Sequence, residues 1–336
     1  MYNRITFSKG EFAMQEISIR DIQGFDIGQA ENKEGGTGLT VVLSKKGVLG
    51  GLDVRGGGPA SRESTLVDPL TAPKAINAVV LAGGSAYGLD AAGGVMRYLE
   101  ERGYGYDVGF TTVPLVCQAD LFDLNAGDMR CRPDADMAYA ACVASENGGN
   151  YQDGCHGAGT GATVGKLCGL ETAMKSGIGS FAMQIGDFKI GAIVAVNAIG
   201  DIYDPENGQK VAGMLAPDKA SFASGEDAMI ARYDVVQNRF TGRNTTLAVV
   251  LTNGKFTNHQ LCKIAGMGHD GYARCIRPVH TSADGDSIYA LASGEIDADM
   301  DVAGTLAARC IEQAILRAVR SAEGAYGYPA IADLQF

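Results

Sequence analysis

The sequence contains no tryptophan, and aromatic residues make up only 7% of its 336 residues. A core must therefore be built largely from alanine, valine, isoleucine and leucine, within a hydrophobic content of 46% that is ample for a folded protein. Positive charge is also scarce, since 28 lysines and arginines face 39 acidic residues and leave a net charge of -11. Nucleic acids and anionic membrane surfaces attract basic patches, so neither is expected as a partner. No apolar run approaches the ~18 residues of a membrane span.

Residue patterns that hold metal ions are missing as well. The four histidines form neither H-x-x-x-H nor H-E-x-x-H, and none of the eight cysteines forms a C-x-x-C pair. No metal or other cofactor is therefore expected. Several cysteines lie in small-residue helical patterns of a large chain, which indicates reduced, buried thiols rather than disulfides. Residues 1–10 lack the apolar segment of a signal peptide, so we expect a cytoplasmic location.

Glycine, by contrast, is abundant. Its 47 residues are about twice the usual share of ~7%, and they cluster at the ends of apolar runs, where tight turns need them. Apolar runs and segments of helical periodicity are mixed along the chain, which predicts a layered α/β fold. The predicted strands cover residues 78–82, 177–185, 189–198, 245–251 and 287–292, with a hairpin at 39–43 and 48–51, and the predicted helices cover 89–102, 134–146, 258–274 and 302–322.

A polar segment at residues 204–242 shows no clear periodicity, and it predicts a long exposed connection. It leads to Asn244-Thr245-Thr246, directly before the apolar run at 247–251. In the simplest interpretation these polar residues only lead into a buried strand. The alternative is a latent N-terminus. Cleavage between Asn244 and Thr245 would give one residue both a hydroxyl nucleophile and an α-amine that can act as its base.

Further polar residues also have two interpretations each. Lys166 follows a glycine-rich run at 157–165 that fails the spacing of a phosphate-binding loop, so it is either a solvated lysine or a cation beside backbone amides. Asn197 ends a predicted strand, and it could form a turn or donate to an oxyanion. Asp284 and Asp286 lie two positions apart in an extended segment and share a face. They form either an acidic turn or a pair that orients an amine.

The segment Gly83-Gly84-Ser85-Ala86-Tyr87-Gly88 lies at a predicted strand-to-helix turn. It loosely resembles the turn that presents the catalytic serine of α/β-hydrolases. A nucleophilic Ser85 would need a histidine partner, and the arrangement of the four histidines identifies none. A Ser-His-Asp enzyme is therefore disfavoured, and Ser85 and Tyr87 are expected to be pocket-wall or turn residues.

Together these segments resemble the L-aminopeptidase/D-esterase (DmpA) family, which also contains β-peptidyl aminopeptidases and nylon-oligomer hydrolases. The resemblance covers residues 36 to about 329. It is carried by the order and spacing of several segments: Arg55-Gly-Gly-Gly-Pro59, residues 81–90 and 159–166, Val196-Asn197 with Gly200-Asp201, residues 244–253 and 265–276, and Pro278-Val-His-Thr281 with Asp284-Gly-Asp286.

The resemblance implies a four-layer αββα sandwich of the N-terminal-nucleophile type. Residues 1–336 would form a single domain that cleaves itself into fragments 1–244 and 245–336. A tyrosine that the family places near the nucleophile falls within residues 119–123, where this chain has Phe122, so Phe122 is expected at the pocket without that hydroxyl. Homo-oligomers are usual in such families, and a tetramer or larger assembly is expected.

The resemblance also implies roles for the polar residues singled out above. By position, Thr245 is the nucleophile and Asn197 the oxyanion-hole residue. Lys166, Asp284 and Asp286 match residues that the nylon-hydrolase branch places around the threonine. Elsewhere in the family serine and glutamate partly replace the acidic pair.

The expected function is a self-processing N-terminal-threonine amidohydrolase or aminopeptidase. It would cleave amide or ester bonds of small peptides, β-peptides or ω-amino-acid oligomers through an acyl-enzyme on Thr245. An acidic wall at Asp284 and Asp286 would favour substrates with a free amino end. Two alternatives stay open: an N-acyltransferase of the ornithine-acetyltransferase type, which passes the acyl group to an amine, and an uncleaved metabolite-binding protein.

Overall fold

The computed structural model describes residues 14–72, 75–235 and 244–334, and this part of the chain forms seventeen β-strands and five α-helices. The strands are β1 (Gln15–Ile17), β2 (Asp26–Asn32), β3 (Thr37–Val54), β4 (Ala60–Arg62), β5 (Ile76–Ala82), β6 (Tyr106–Asp107), β7 (Thr112–Val113), β8 (Val116–Asp120), β9 (Thr163–Val164), β10 (Met174–Lys175), β11 (Ile178–Ile185), β12 (Phe188–Asn197), β13 (Asp201–Tyr203), β14 (Lys210–Ala212), β15 (Thr245–Gly254), β16 (Ile276–Arg277) and β17 (Ser287–Ile296). The helices are α1 (Ala92–Glu100), α2 (Ala135–Ala144), α3 (Gly225–Ile230), α4 (Asn258–Cys275) and α5 (Met300–Arg320).

The long strand β3 connects two sheets. Its residues 37–43 pair with β2 and β5, whereas residues 49–54 pair with β17. The strand order is β1-β11-β12-β15-β17-β3 in one sheet and β3-β5-β8-β4 in the other. The predicted hairpin in this region is therefore wrong. The pairing register shifts between Leu43 and Val48, so the intervening Lys-Lys-Gly forms an irregularity within one strand rather than a turn.

Side chains of the central strands alternate between two faces, and both faces are covered. In β15, Ala248 and Val250 pack with α4 and α5, whereas Leu247 and Val249 pack with β5 of the other sheet. On the opposite face of β5, Val80 packs with α1 and α2. The layers are thus helix, sheet, sheet and helix, which confirms the predicted αββα architecture.

Most of the predicted elements are present with shifted ends. The strand pair around the Gly186-Asp187 turn forms β11 and β12, and the regular pattern after residue 245 forms β15, α4, β17 and α5. The helix predicted from residue 89 begins only at Ala92, because a 3₁₀ segment occupies Ser85–Ala91. The predicted long connection contains β14 and the short helix α3, and its residues 236–242 lie outside the described part of the chain.

All eight cysteines are free thiols in the structure. Burial raises the pKa of Cys117 and of Cys142 to about 12, so both stay protonated and behave as small apolar residues of the core. Among the described helices, none combines the length and the apolar character that crossing a membrane requires.

Three neighbouring strands bring polar residues to one edge of the first sheet. Strands β12 and β15 are antiparallel, and Asn197 at the end of β12 lies opposite Thr245 at the start of β15. Strands β15 and β17 are parallel, and just before them Asn244 bridges Asp284. The end of β12 and the beginnings of β15 and β17 therefore meet at one place.

Candidate active site

Thr245 is the first residue of β15, and it is buried. Its hydroxyl donates a hydrogen bond to the carbonyl oxygen of Asn244, the residue before it. The same oxygen accepts a hydrogen bond from the backbone N–H of Gly285 at 3.1 Å. A Cβ atom on Gly285 would lie 2.7 Å from Thr245 Oγ1, so this close approach requires glycine. The Asn244–Thr245 peptide bond is thus enclosed, with a donor already on its carbonyl oxygen.

The side chain of Asn197 is fixed from both ends. Its Oδ1 accepts hydrogen bonds from Lys166 Nζ at 2.8 Å and from the backbone N–H of Thr163 at 3.0 Å. Its Nδ2 donates to the carbonyl oxygen of Phe122 at 2.8 Å. These partners determine which end of the amide is the oxygen and leave Nδ2 as the donor end. A fixed amide donor opposite a hydroxyl group could stabilise an oxyanion that forms beside that hydroxyl.

Lys166 is buried rather than solvated, with 8% of its surface exposed. Its ammonium also donates to the backbone carbonyl of Asn197 at 2.9 Å. Burial lowers the pKa of Lys166 to about 7, although the charges of Asp284 and Asp123 act in the opposite direction. Such a lysine is present in both its charged and its neutral form at neutral pH, and it can take part in proton transfer.

Asp284 is buried beside the same group of residues. Its Oδ1 accepts from the backbone N–H of Ile199 at 3.3 Å, and its Oδ2 accepts from the hydroxyl and the backbone N–H of Thr281. Burial, followed by the charge of Asp286, raises the pKa of Asp284 to about 7, while Lys166 opposes the shift. Burial thus favours the neutral forms of both Asp284 and Lys166, and the charge of the site changes near neutral pH.

Asp286 braces the beginning of β15. Its Oδ1 accepts the backbone N–H of Thr246 at 2.8 Å. Its Oδ2 accepts the backbone N–H of His280 at 3.1 Å and lies 2.9 Å from Nδ1 of the same residue. Asp286 therefore fixes the residue that follows Thr245.

Residues 55–58, an arginine followed by three glycines, support the segment that carries both acids. The backbone N–H of Gly58 donates to the carbonyl of Asp284 at 2.8 Å, and those of Arg55 and Gly56 donate to the carbonyl of Asp286. A Cβ atom on Gly56 would lie 2.3 Å from the nitrogen of Asp286, so the two segments touch through their backbones. This segment, one of those that carry the family resemblance, is thus part of the framework of the site.

The three predicted pocket residues, Ser85, Tyr87 and Phe122, differ in how directly they contact the residues around Thr245. Phe122 contacts it through its carbonyl oxygen, which accepts from Asn197. Ser85 contacts Leu121, the residue before Phe122, through its backbone N–H, which donates to the Leu121 carbonyl at 2.9 Å. Tyr87 is 59% exposed, and its ring lies 3.5 Å from the guanidinium carbon of Arg132, so its described contact is at the surface.

Sequence reasoning missed a buried acid beside the site. Asp123 accepts hydrogen bonds from the hydroxyl of Thr37 and the backbone N–H of Gly84, both at 2.7 Å. Burial raises its pKa to about 6. A signal was available, because β5 and β8 are parallel and Gly84 and Asp123 follow their carboxyl ends, which meet at one edge of the sheet.

Comparison with solved structures identifies the fold. The L-aminopeptidase D-Ala-esterase/amidase of Ochrobactrum anthropi superposes with a TM-score of 0.66 and 19% identity over 94% of this chain and 90% of that one. A β-aminopeptidase of Burkholderia sp. gives a TM-score of 0.66 and 17% identity over 96% and 94% of the two chains. The first is described as a variant of the Ntn hydrolase fold. The protein therefore has the Ntn hydrolase fold, as predicted.

Sequence comparison then identifies the family. The family model described as Peptidase family S58 matches residues 18–330. A Mycobacterium leprae protein named as an uncharacterized aminopeptidase is 38% identical over 339 residues, covering 93% of this chain and 92% of the relative. The 6-aminohexanoate-oligomer endohydrolase of a Kocuria strain is 31% identical over 278 residues, covering 82% and 75%. The chain belongs to peptidase family S58.

Family membership makes the protein an enzyme that hydrolyses peptide or amide bonds. The resemblance seen in the sequence and the predicted enzyme class are both confirmed. The alternative of a protein that only binds a metabolite is wrong, and the acyltransferase alternative gains no support from a peptidase family.

Proposed function

We propose that the chain cleaves its own Asn244–Thr245 bond and then uses Thr245 as an N-terminal nucleophile for amide hydrolysis. One observation carries this proposal: buried ionisable groups and a fixed amide surround this bond. Ionisable side chains with perturbed pKa values are costly to bury and cluster at functional sites. The surrounding residues are Lys166, Asn197, Asp284 and Asp286.

In the self-cleavage step, the hydroxyl oxygen of Thr245 attacks the carbonyl carbon of Asn244. A C–O bond forms and the C–N bond breaks, while the hydroxyl proton passes through a neighbouring base to the leaving nitrogen. Lys166 and Asp284 can act as this relay, because both change protonation near pH 7. The N–H of Gly285 stabilises the oxyanion. Water then hydrolyses the ester and releases fragments 1–244 and 245–336.

In the mature enzyme, the new α-amine of Thr245 is the base for its own hydroxyl. An unperturbed α-amine has a pKa of ~7.7–8.0, close enough to neutral pH for this role. The hydroxyl oxygen attacks the substrate carbonyl, and its proton passes through the amine to the leaving group. Asn197 Nδ2 donates to the oxyanion, held in its orientation by Lys166. Water hydrolyses the resulting ester and frees Thr245.

Denaturing gel electrophoresis tests the self-cleavage. We expect the wild-type protein to give two bands, with a new N-terminus at Thr245. Thr245→Ala should remain a single band near 35 kDa and lose hydrolytic activity. The matched control is Thr246→Val, which replaces the next residue by one of the same shape, and it should be processed and active like the wild type. A wild-type protein that is fully active as one uncleaved band would refute the proposal.

We further propose substrates with a free amino end. The two buried acidic residues beside the nucleophile, Asp284 and Asp286, favour an ammonium group on the substrate when they are ionised. The named relatives are an aminopeptidase and an endohydrolase of 6-aminohexanoate oligomers, so small peptides and ω-amino-acid oligomers are the substrate classes to assay. One peptide amide is assayed with its amino end free and with it N-acetylated. We expect kcat/KM for the free form to be roughly tenfold or more higher than for the acetylated form. Equal values would rule out this selectivity.

A further inference from the structure

A line of polar side chains lies behind Asp286, on the side of its Oδ2 oxygen. Nε2 of His269 lies 3.1 Å from the carbonyl oxygen of Asp53 and 3.3 Å from its Oδ1. The rings of His269 and His280 pack nearly at right angles, with 4.7 Å between their centroids. Nδ1 of His280 then lies 2.9 Å from Asp286. The two histidines thus connect β3 to the acid that braces Thr246.

His280 supplies two of the three donors that contact Asp286 in the described part of the chain. These are its backbone N–H and its Nδ1, both directed at Oδ2, and the third is the N–H of Thr246 on Oδ1. Only 1% of Asp286 is exposed to solvent. A buried carboxyl group without access to water depends on such donors for its hydrogen bonds. The orientation of Asp286 therefore depends on His280.

The backbone of His280 has a conformation that side chains rarely adopt. Its φ is 57°, in the left-handed region, where glycine is the usual residue and only asparagine, aspartate and histidine are enriched among the others. In this conformation both the backbone N–H and Nδ1 reach the same oxygen of Asp286. A disfavoured backbone kept beside a candidate catalytic residue indicates a functional constraint.

Of the described side chains in contact with His280, Asp286 is the only acidic one. His280 faces Asp286 from the segment before β17 and His269 and Tyr272 from α4. Burial, together with the neighbouring His280, lowers the pKa of His269 to about 4, so this ring is neutral at pH 7. Burial raises the pKa of Tyr272, which keeps its hydroxyl neutral. Behind His269 lie the oppositely charged Asp53 and Arg55, which pair with each other at 3.0 Å.

We propose that His280 is a positioning residue for the reaction. It holds the carboxyl group of Asp286 turned toward the N–H of Thr246, and it thereby fixes the beginning of β15, where Thr245 attacks. His269 acts as a neutral packing partner for the imidazole. This inference rests on the proposed role of Thr245 as nucleophile.

Replacing His280 by Asn and by Asp distinguishes the loss of the side-chain hydrogen-bond donor from a change in side-chain size or backbone conformation. Both residues tolerate the left-handed backbone, but Asn keeps an N–H near the position of Nδ1, whereas an ionised Asp cannot donate. We expect His280→Asn to keep kcat within about fivefold of wild type. His280→Asp and His280→Ala should lower kcat by roughly ten- to a hundredfold with little change in KM. The control is His259→Ala, an exposed histidine on α4, which should leave both constants unchanged.

Rescue by the conservative variant distinguishes positioning from general structural damage. A purely structural defect would lower the melting temperature together with kcat, and Asn would restore kcat no better than Asp. Loss of positioning should lower kcat in His280→Asp and restore it in His280→Asn at a similar melting temperature. A kcat of His280→Asn as low as that of His280→Ala would therefore overturn the role of His280.

Two further results keep this proposal separate from the proposed function. If His280→Ala does not fold, as judged by thermal melting, the Asn and Asp variants decide, and equal kcat values in that pair would overturn the inference. An active Thr245→Ala variant would instead overturn the nucleophile assignment itself. An inactive Thr245→Ala beside a fully active His280→Ala would leave the nucleophile standing and remove His280 from the reaction.

Discussion

The two ends of the β12–β15 ladder each carry a buried asparagine, yet their chemistry differs. At the far end, Asn253 accepts the backbone N–H of Lys189 and donates to the carbonyl of Asp187, both at 2.8 Å. These partners are backbone groups at the β11–β12 turn. At the site end, Asn197 bonds to the ammonium of Lys166. Residue type and burial are the same, so it is the charged partner that distinguishes the two ends.

The site end also leaves polar atoms without partners. In the described part of the chain, Asn244 Oδ1 and Thr246 Oγ1 are buried without a hydrogen bond. At the far end, the hydroxyl of Thr252 donates to the carbonyl of Lys189 and accepts from the N–H of Gly254. Folded proteins pair most buried polar groups, and exceptions concentrate where chemistry rather than stability shaped the structure. Burial therefore does not separate the two ends of this ladder, whereas unpaired buried atoms do.

Replacing Asn197 and Asn253 by alanine should give the largest difference in kcat between the two ends of the ladder. Asn197→Ala removes the proposed oxyanion donor, and we expect kcat to fall by about 10²–10³-fold. Asn253→Ala leaves two backbone groups unpaired, so it should lower the free energy of unfolding by about 1–3 kcal/mol without changing kcat. Steady-state kinetics on processed protein and chemical denaturation measure the two effects. A similar loss of kcat in both variants would mean that damage to the sheet, not loss of a donor, explains it.

The residues proposed for the site could be found from the sequence because they lie at the ends of recognisable strands. Asn197 ends one strand, Thr245 begins the next, and Asp284 and Asp286 precede a third. These three strands are neighbours in the sheet, so the ends meet. Whether Lys166 was solvated or buried could not be decided, since its burial depends on contacts with Asn197 that are distant in sequence.

The supporting residues could not be predicted for a different reason. The segment at residues 55–58 reaches the acidic segment only because β3 passes from one sheet to the other and ends beside β17. The sequence pattern around Lys45-Lys46-Gly47 predicted a hairpin there, which would have turned the chain back. His280 lies in one of the segments that carry the family resemblance, but the sequence assigns it no role, because its contact with Asp286 depends on a left-handed backbone that the sequence does not reveal.

A second contrast between the ends concerns pH. The pKa of Asp284 is raised to about 7 in the folded, uncleaved chain. Between its ordinary pKa of ~3.9 and pH 7, the folded chain therefore binds a proton that the unfolded chain does not, so this residue's contribution to stability falls as the pH rises. Asp284→Asn removes this dependence. In a Thr245→Ala background, we expect its stability gain to be near zero at pH 4 and to reach at most about 4 kcal/mol at pH 7.5.

The control for this experiment is Asp187→Asn, an exposed acid at the far end of the ladder. It should change the free energy of unfolding little at either pH, since exposed charges contribute little. Urea denaturation of both variants at pH 4 and pH 7.5 gives the measurement. A gain for Asp284→Asn that is the same at the two pH values would show that Asp284 is not the group that titrates.

The smallest contrast compares one glycine at each end. A Cβ atom on Gly285 would lie 2.7 Å from Thr245 Oγ1 and 2.9 Å from the carbonyl oxygen of Gly58, whereas a Cβ atom on Gly186 would meet nothing within 4 Å. Gly285→Ala should displace the nucleophile and slow both self-cleavage and kcat by roughly ten- to a hundredfold. Gly186 has a φ of 56°, so Gly186→Ala should lower stability by about 1 kcal/mol and leave kcat unchanged. Time-resolved gels, kinetics and thermal melts separate these outcomes. A Gly285→Ala variant that loses stability but cleaves itself at the wild-type rate would show that this glycine serves packing, and that the Thr245 hydroxyl does not need the space beside it.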